Sequence, residues 1–339
     1  MRFRHHSVIA ALSAFLLLSG FLLSACSGSQ SNGTTGTGSS GSLTNVSIGL
    51  GYIPDIQFAP FYVAQSKGYY KDAGLNVTFH HGIVNDLLGS MVAGRDDFAF
   101  SSGDEDLVAR SKNLPIVNVS TIFQKFPVSL IVPANSPIKT LSDLKGHSIG
   151  VPGPFGATYV GLLALLYKAH LTTSDVSIHS IGFTQVAALV SNRYDAVVGY
   201  SNNEPLQLRK QGVPVRTFDV SDYQPLVSNG IVTTSDTLHN RPSIVRSFVQ
   251  ATLRGLKDVV ADPNGAVTIS KSYINGLTDT AKALEILKAT IPIWQGSGNV
   301  RLGYNDPANW DSTVKFMVSQ KLIPSAPDLT QVYTNDSLK

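Results

Sequence analysis

The chain has 339 residues, 14% charged and 43% apolar, and its 26 Lys and Arg against 23 Asp and Glu leave a formal charge of +3. So even a balance excludes the basic face of a nucleic-acid binder, and the single cysteine, Cys26, excludes a disulfide framework. Residues 43–339 suffice for one large domain or two lobes.

Residues 1–25 read as an export signal. Arg2 and Arg4 precede an apolar run from Val8 to Leu23, which closes in Leu23-Ser24-Ala25-Cys26. Ser13, Ser19 and Gly20 interrupt the run, so it falls short of the ~20 apolar residues of a membrane-spanning anchor. The cut before Cys26 resembles a bacterial lipobox. It makes Cys26 the expected lipidation site, and the Ser/Gly/Thr-rich residues 26–42 a tether holding a domain on the extracytoplasmic face of the cell membrane. Loss of the signal removes Arg2 and Arg4 and takes the formal charge from +3 to +1.

After the tether, strands and helices alternate. Strands are expected at 46–52, 75–80, 98–101 and 116–123, with helices at 59–67, 86–93 and 105–112 between them. A second series follows: strands at 128–132, 147–151, 176–181, 196–200 and 215–219, a short helix at 141–144, and helices at 157–169 and 183–192. Gly230–Thr233 brings the chain back. The remainder reads as helices at 243–262, 264–274, 278–294 and 307–321. Such alternation implies parallel α/β sheets. Two crossovers, near 127–133 and 224–232, divide the chain into a first lobe of 43–129 plus 230–339 and a second of 130–229.

Ligands of α/β sheets lie beyond the carboxyl ends of the strands, and the residues found there are aromatics interleaved with amides, hydroxyls and carboxylates. Aromatic faces stack on a flat heteroaromatic ring, and polar groups fix its edges. Tyr52, Asp55, Asn85, Tyr159 and Tyr200 are the expected ring contacts; Ser102, Asn202, Glu204 and Asp222 are the expected polar partners. The three tyrosines could equally be core residues with a bonded hydroxyl. Asp86 and Asp104 read as helix caps.

Enzyme signatures are mostly absent. There is no P-loop and no His-Glu-x-x-His. Gly153-Pro154-Phe155-Gly156 has no Lys-Ser/Thr after it, although a helix starting at Ala157 offers backbone N–H groups to a polar ligand. His80 and His81 are neighbours on a strand and face opposite sides, a poor metal clamp. No catalytic residue, cofactor or metal site is expected.

Several runs together carry a resemblance: Gly51-Tyr52-Ile53-Pro54, Ala59-Pro60-Phe61-Tyr62-Val63-Ala64, Lys67-Gly68-Tyr69-Tyr70-Lys71-Asp72-Ala73-Gly74-Leu75 and Leu141-Ser142-Asp143-Leu144-Lys145-Gly146. Over 43–325 the chain resembles the sulfonate- and thiamine-pyrimidine-binding (SsuA/THI5-like, NMT1) group of type II periplasmic-binding proteins. That resemblance implies a two-lobed α/β fold with mixed sheets and a helical C-terminal return, trapping a solute and delivering it to the permease and ATPase subunits of an ABC importer. Tyr200, Asn202 and Glu204 match the Tyr-x-Asn-x-Glu signature of its formylaminopyrimidine-binding members. Longer runs, 155–161, 182–185, 199–205 and 220–223 among them, are similar to its riboflavin-binding lipoproteins, so riboflavin is the expected ligand and a thiamine pyrimidine precursor the alternative. The same fold includes thiamine pyrimidine synthases with a cysteine-rich iron motif and bound pyridoxal phosphate, a motif this chain cannot supply. Sulfonate or nitrate would require basic residues at the strand ends, where Lys125 and Arg193 are the nearest.

Overall fold

The computed structural model describes residues 42–297 and 300–339. The expected signal, Cys26 and the tether up to residue 41 lie outside the described residues.

The first series is β1 (Thr44–Leu50), α1 (Ala59–Ser66), α2 (Tyr69–Asp72), β2 (Leu75–His81), α3 (Val84–Val92), β3 (Phe98–Ser102), α4 (Gly103–Ser111) and β4 (Ile116–Thr121). The second is β5 (Val128–Pro133), β6 (Ser148–Val151), α5 (Gly156–Lys168), β7 (Ser177–Ser180), α6 (Gln185–Val190), β8 (Ala196–Tyr200), α7 (Glu204–Lys210) and β9 (Val215–Asp219). The chain then returns through β10 (Asn229–Thr234) into α8 (Ser235–Asn240), α9 (Pro242–Ala261), α10 (Pro263–Ser270), α11 (Thr280–Gln295) and α12 (Pro307–Ser319).

Two five-stranded sheets result, ordered β2-β1-β3-β10-β4 and β7-β6-β8-β5-β9. Alternation alone predicts parallel pairing, yet both sheets are mixed. β10 runs antiparallel to β3 and β4, and β5 runs antiparallel to β8 and β9. In each sheet the antiparallel strand is the one arriving from the other sheet, so the two crossovers reverse direction.

The crossovers lie side by side. Ile122 and Phe123 both donate their backbone N–H to Asn229 O at 2.9 Å, which ends β4 at Thr121 instead of the expected 123. β10 carries an irregularity between Ile231 and Val232. Beside it Gly230 packs so closely that a Cβ would sit 2.5 Å from Ser120 O, so only glycine fits.

The largest apolar cluster lies between the first sheet and α1, α9, α10 and α11, with Ile48, Phe98, Phe61, Phe248 and Trp294 fully buried in it. A second joins the inner face of the other sheet to α5, and Trp310, Val314 and Met317 of α12 pack into it together with Leu107 of α4. Smaller clusters cover the opposite faces through α3 and α4, and through α6 and α7. Burial of this apolar area is the main stabilising term.

Three helices escape the sequence pattern: α2, α7 and α8. Each has seven residues or fewer. Helices this short are unstable alone and form because tertiary packing holds them; α7 anchors Leu208 against Ile131 and Val197. No helix among the described residues is long and apolar enough to cross a membrane.

Candidate ligand-binding site

One cavity of about 270 Å³ opens between the carboxyl ends of the parallel strands of both sheets. That is near the lower end of the range for small-molecule sites.

From the first sheet come three walls. β1 runs into Gly51 and Tyr52. Asp55 then caps a short turn at 56–58, its Oδ1 accepting the Gln57 N–H at 3.0 Å. β2 runs into Gly82, Ile83 and the first turn of α3, where Asn85 is exposed to the cavity. Behind them Glu105 opens α4, where the spacing Ser102-x-x-Glu105 forms a capping box: Ser102 donates both its backbone N–H and its hydroxyl to Glu105 Oε2, each at 2.9 Å.

From the second sheet, β6 leads to Pro152, Phe155 and the start of α5, and β7 leads to Gly182 and Phe183. β8 ends in Tyr200, followed by Asn202, Asn203 and Glu204 at the start of α7. Glu204 folds back on its own strand: the Tyr200 backbone N–H donates to Glu204 Oε2 at 2.7 Å. A Cβ on Gly199 would lie 2.7 Å from that oxygen, so the glycine makes room for the carboxyl.

Aromatic rings arrive from both sides. Tyr52 and Phe183 meet edge to face with centroids 5.1 Å apart. Phe155 is 50% exposed and Phe183 60%, unusual for Phe in a folded chain and characteristic of an apolar binding surface. Tyr200 is half-buried at the rim and donates its phenol O–H to Asn229 Oδ1 at 3.4 Å.

The enclosure changes the acids. Burial, aided by the charge of Asp55, raises the Glu204 carboxyl from 4.5 to about 7. Burial likewise raises Asp55 and Glu105; backbone N–H groups at Ser102 and Ala157 pull Glu105 partly back. The Tyr52 phenol is pushed up to about 12 by burial and by the charges of Glu204 and Asp55.

Of the nine residues expected from sequence, the structure brings six to the cavity: Tyr52, Asp55, Asn85, Tyr200, Asn202 and Glu204. Ser102, Tyr159 and Asp222 do not line it. Ser102 is fully buried and its hydroxyl is spent on Glu105. Tyr159 packs with the second cluster, because one step along α5 turns it about 100° from the cavity-lining Thr158. Asp222 is exposed in a turn after the edge strand β9. Asp86 and Asp104 lie inside the first turns of α3 and α4; Ile83 and Ser102 occupy the cap positions.

Sequence reasoning missed Glu105 and Phe183. Phe183 follows β7 as Tyr52 follows β1, so the strand-end rule could have found it. Glu105 reads locally only as a capping residue. His80 and His81 diverge, His80 pairing with Asp96 at 2.6 Å and His81 with Tyr52 O at 3.1 Å. Among the described residues no group of three or more His, Cys, Asp or Glu is placed to hold a metal. Neither Lys125 nor Arg193 lines the cavity.

Comparison with known proteins adds the lineage. The riboflavin-binding protein RibY of Chloroflexus aurantiacus is 38% identical over 301 residues, covering 87% of this chain and 86% of that protein. A formylaminopyrimidine-binding protein of Halalkalibacterium halodurans is 28% identical over 67% of this chain and 70% of its own length. More distant is a 4-amino-5-hydroxymethyl-2-methylpyrimidine phosphate synthase of Aspergillus parasiticus, 26% identical over 61% of this chain and 64% of that enzyme. The fold matches the periplasmic aliphatic sulphonate binding protein SsuA of Escherichia coli at a TM-score of 0.71 and 16% identity, over 87% of this chain and 99% of that one. The profile of the NMT1/THI5-like family matches residues 55–266, more than half of the sequence, and the chain belongs to that family.

Proposed function

We propose that this chain is the solute-binding component of an ABC importer and that it captures riboflavin in the cavity between its two sheets. The observation that carries this reading is the meeting of Tyr52 and Phe183 across that cavity, each from a different sheet. A flat tricyclic ring buries apolar area against both at once, and the amides and carboxyls around them serve its edges and a polyol tail. Contacts to both sheets exist together only when the lobes, 43–129 with 230–339 and 130–229, are closed, so ligand favours closure. Tyr52, Asp55, Asn85 and Tyr200 take the ring; Asn202 and Glu204 take polar edges. Cys26 is the lipid anchor that keeps the domain at the extracytoplasmic face, within reach of the permease and its ATPase. The 38% identity to a riboflavin-binding protein points the same way.

The test is flavin fluorescence during titration with the full-length chain in mild detergent. Saturable quenching at low-micromolar protein supports the reading; no quenching by a folded sample removes riboflavin. A second reading, a thiamine pyrimidine precursor, rests on the convergence of Tyr200, Asn202 and Glu204 at one wall. Displacement of flavin by formylaminopyrimidine at comparable concentration would favour it. The synthase activity of the more distant relatives is not carried over, because the only cysteine is Cys26 and no cysteine-rich motif exists.

A further inference from the structure

The polar lining of the cavity is acidic on both sides. Asp55 follows β1, Glu105 opens α4 and Glu204 opens α7, while no Lys, Arg or His among the described residues lines the cavity. Lys282, whose charge reaches Asp55, donates its ammonium to Gln207 Oε1 at 2.9 Å. The natural seat for an anion here is the N-terminus of α5, where backbone N–H groups and the helix dipole favour negative charge. The protein fills that seat itself. Glu105 reaches across from α4 so that a Cβ on Gly156 would lie 3.1 Å from its Oε1, and the nearby Ala157 N–H favours its ionised form.

The wall also holds one buried acceptor that lacks a donor. Asn202 is 2% exposed; its Nδ2 donates to Thr290 Oγ1 of α11 at 2.7 Å, which fixes the amide, and its Oδ1 has no partner. A buried acceptor without a donor is costly, and a ligand N–H or O–H that displaces the atoms covering it relieves that cost.

Building on the proposed capture of a vitamin-type heteroaromatic, we propose that the cavity selects uncharged, hydrogen-bond-donating heteroaromatic alcohols and rejects their phosphate esters, with Glu105 as the residue that enforces the rejection. An added phosphate meets Asp55, Glu105 or Glu204 with no cation to offset it. Its preferred helix terminus already faces a carboxyl group that cannot leave without breaking the two bonds from Ser102.

Two matched pairs test this on the full-length chain by calorimetry: riboflavin against riboflavin 5′-phosphate, and 4-amino-5-hydroxymethyl-2-methylpyrimidine against its phosphate. The expected result is an ester at least about 100-fold weaker than its alcohol in whichever pair binds. Glu105→Gln, whose amide oxygen preserves the cap, is expected to narrow that ratio at least about tenfold. Equal affinity for alcohol and ester overturns the inference, as does an unchanged ratio in Glu105→Gln. Failure of all four compounds to bind a folded sample overturns the proposed ligand instead. The inference is then judged on octanesulfonate and inorganic phosphate: thermal stabilisation by either overturns it, and no stabilisation by both supports it.

Discussion

Replacing Glu204 with glutamine isolates what enclosure does to its carboxyl. The amide side chain keeps an oxygen for the Tyr200 N–H, bonded at 2.7 Å in the parent, and removes only the ionisation. Burial and the neighbouring Asp55 raise the folded-state value from 4.5 to about 7, with Tyr52 and Tyr200 facing the same carboxyl. At about 1.4 kcal/mol per pH unit, that displacement corresponds to about 3 kcal/mol. The sign follows from proton counting. Between 4.5 and about 7 the folded chain holds a proton that the unfolded chain has released. Stability therefore falls as pH rises through that window, and the loss is complete above it. In Glu204→Gln this share of the pH dependence vanishes, so the variant gains up to about 3 kcal/mol on the parent between pH 5 and pH 8.5. Denaturant unfolding of parent and variant at several pH values measures the difference directly. Parallel stability-versus-pH curves for the two proteins would refute the reasoning, because they would mean that the carboxyl ionises in the folded state as freely as in the unfolded chain.

Other outcomes follow from the same geometry. Tyr52→Ala and Phe183→Ala should each weaken flavin binding by about 1–3 kcal/mol, roughly 5- to 150-fold, with the fold intact; unchanged quenching curves would remove the ring pair from the site. Thr290→Val takes away the acceptor of Asn202 Nδ2 and should cost about 1–3 kcal/mol in unfolding free energy, since that amide is buried; no loss would show that water or another group replaces it. Gly230→Ala places a methyl 2.5 Å from Ser120 O where the two crossovers touch, and should cost about 1–3 kcal/mol or more; a neutral result would mean that this strand pair yields easily. Flavin affinity itself should fall as pH climbs through about 7, because a neutral ligand that covers Glu204 favours its protonated form; affinity flat from pH 5.5 to 8.5 would count against a contact.

Much of the fold was legible because its cause is local. The apolar runs at β1, β3, β6 and β8, separated by helical periodicity, read as α/β alternation, and most elements fall within a few residues of their expected bounds. The strand-end rule found Tyr52, Asp55, Asn85, Tyr200, Asn202 and Glu204 because carboxyl ends of parallel strands share one edge of a sheet. It misplaced Ser102, Tyr159 and Asp222 because being near a strand end does not say which way a side chain turns. Tyr159 and Thr158 differ by one residue of helix rotation, and Ser102 is held by a cap bond that only the folded backbone completes.

By itself, then, the sequence determined the alternation of elements, the family and the chemical character of the cavity rim, all of which follow from residue type and short-range spacing. Only the tertiary structure decided the antiparallel entry of β5 and β10, the docking that makes α7 a helix, the joining of Tyr52 to Phe183, and the reach of Glu105 to the start of α5. Those features depend on residues about fifty to more than a hundred positions apart, whose meeting is set by the packing of two sheets rather than by any local propensity.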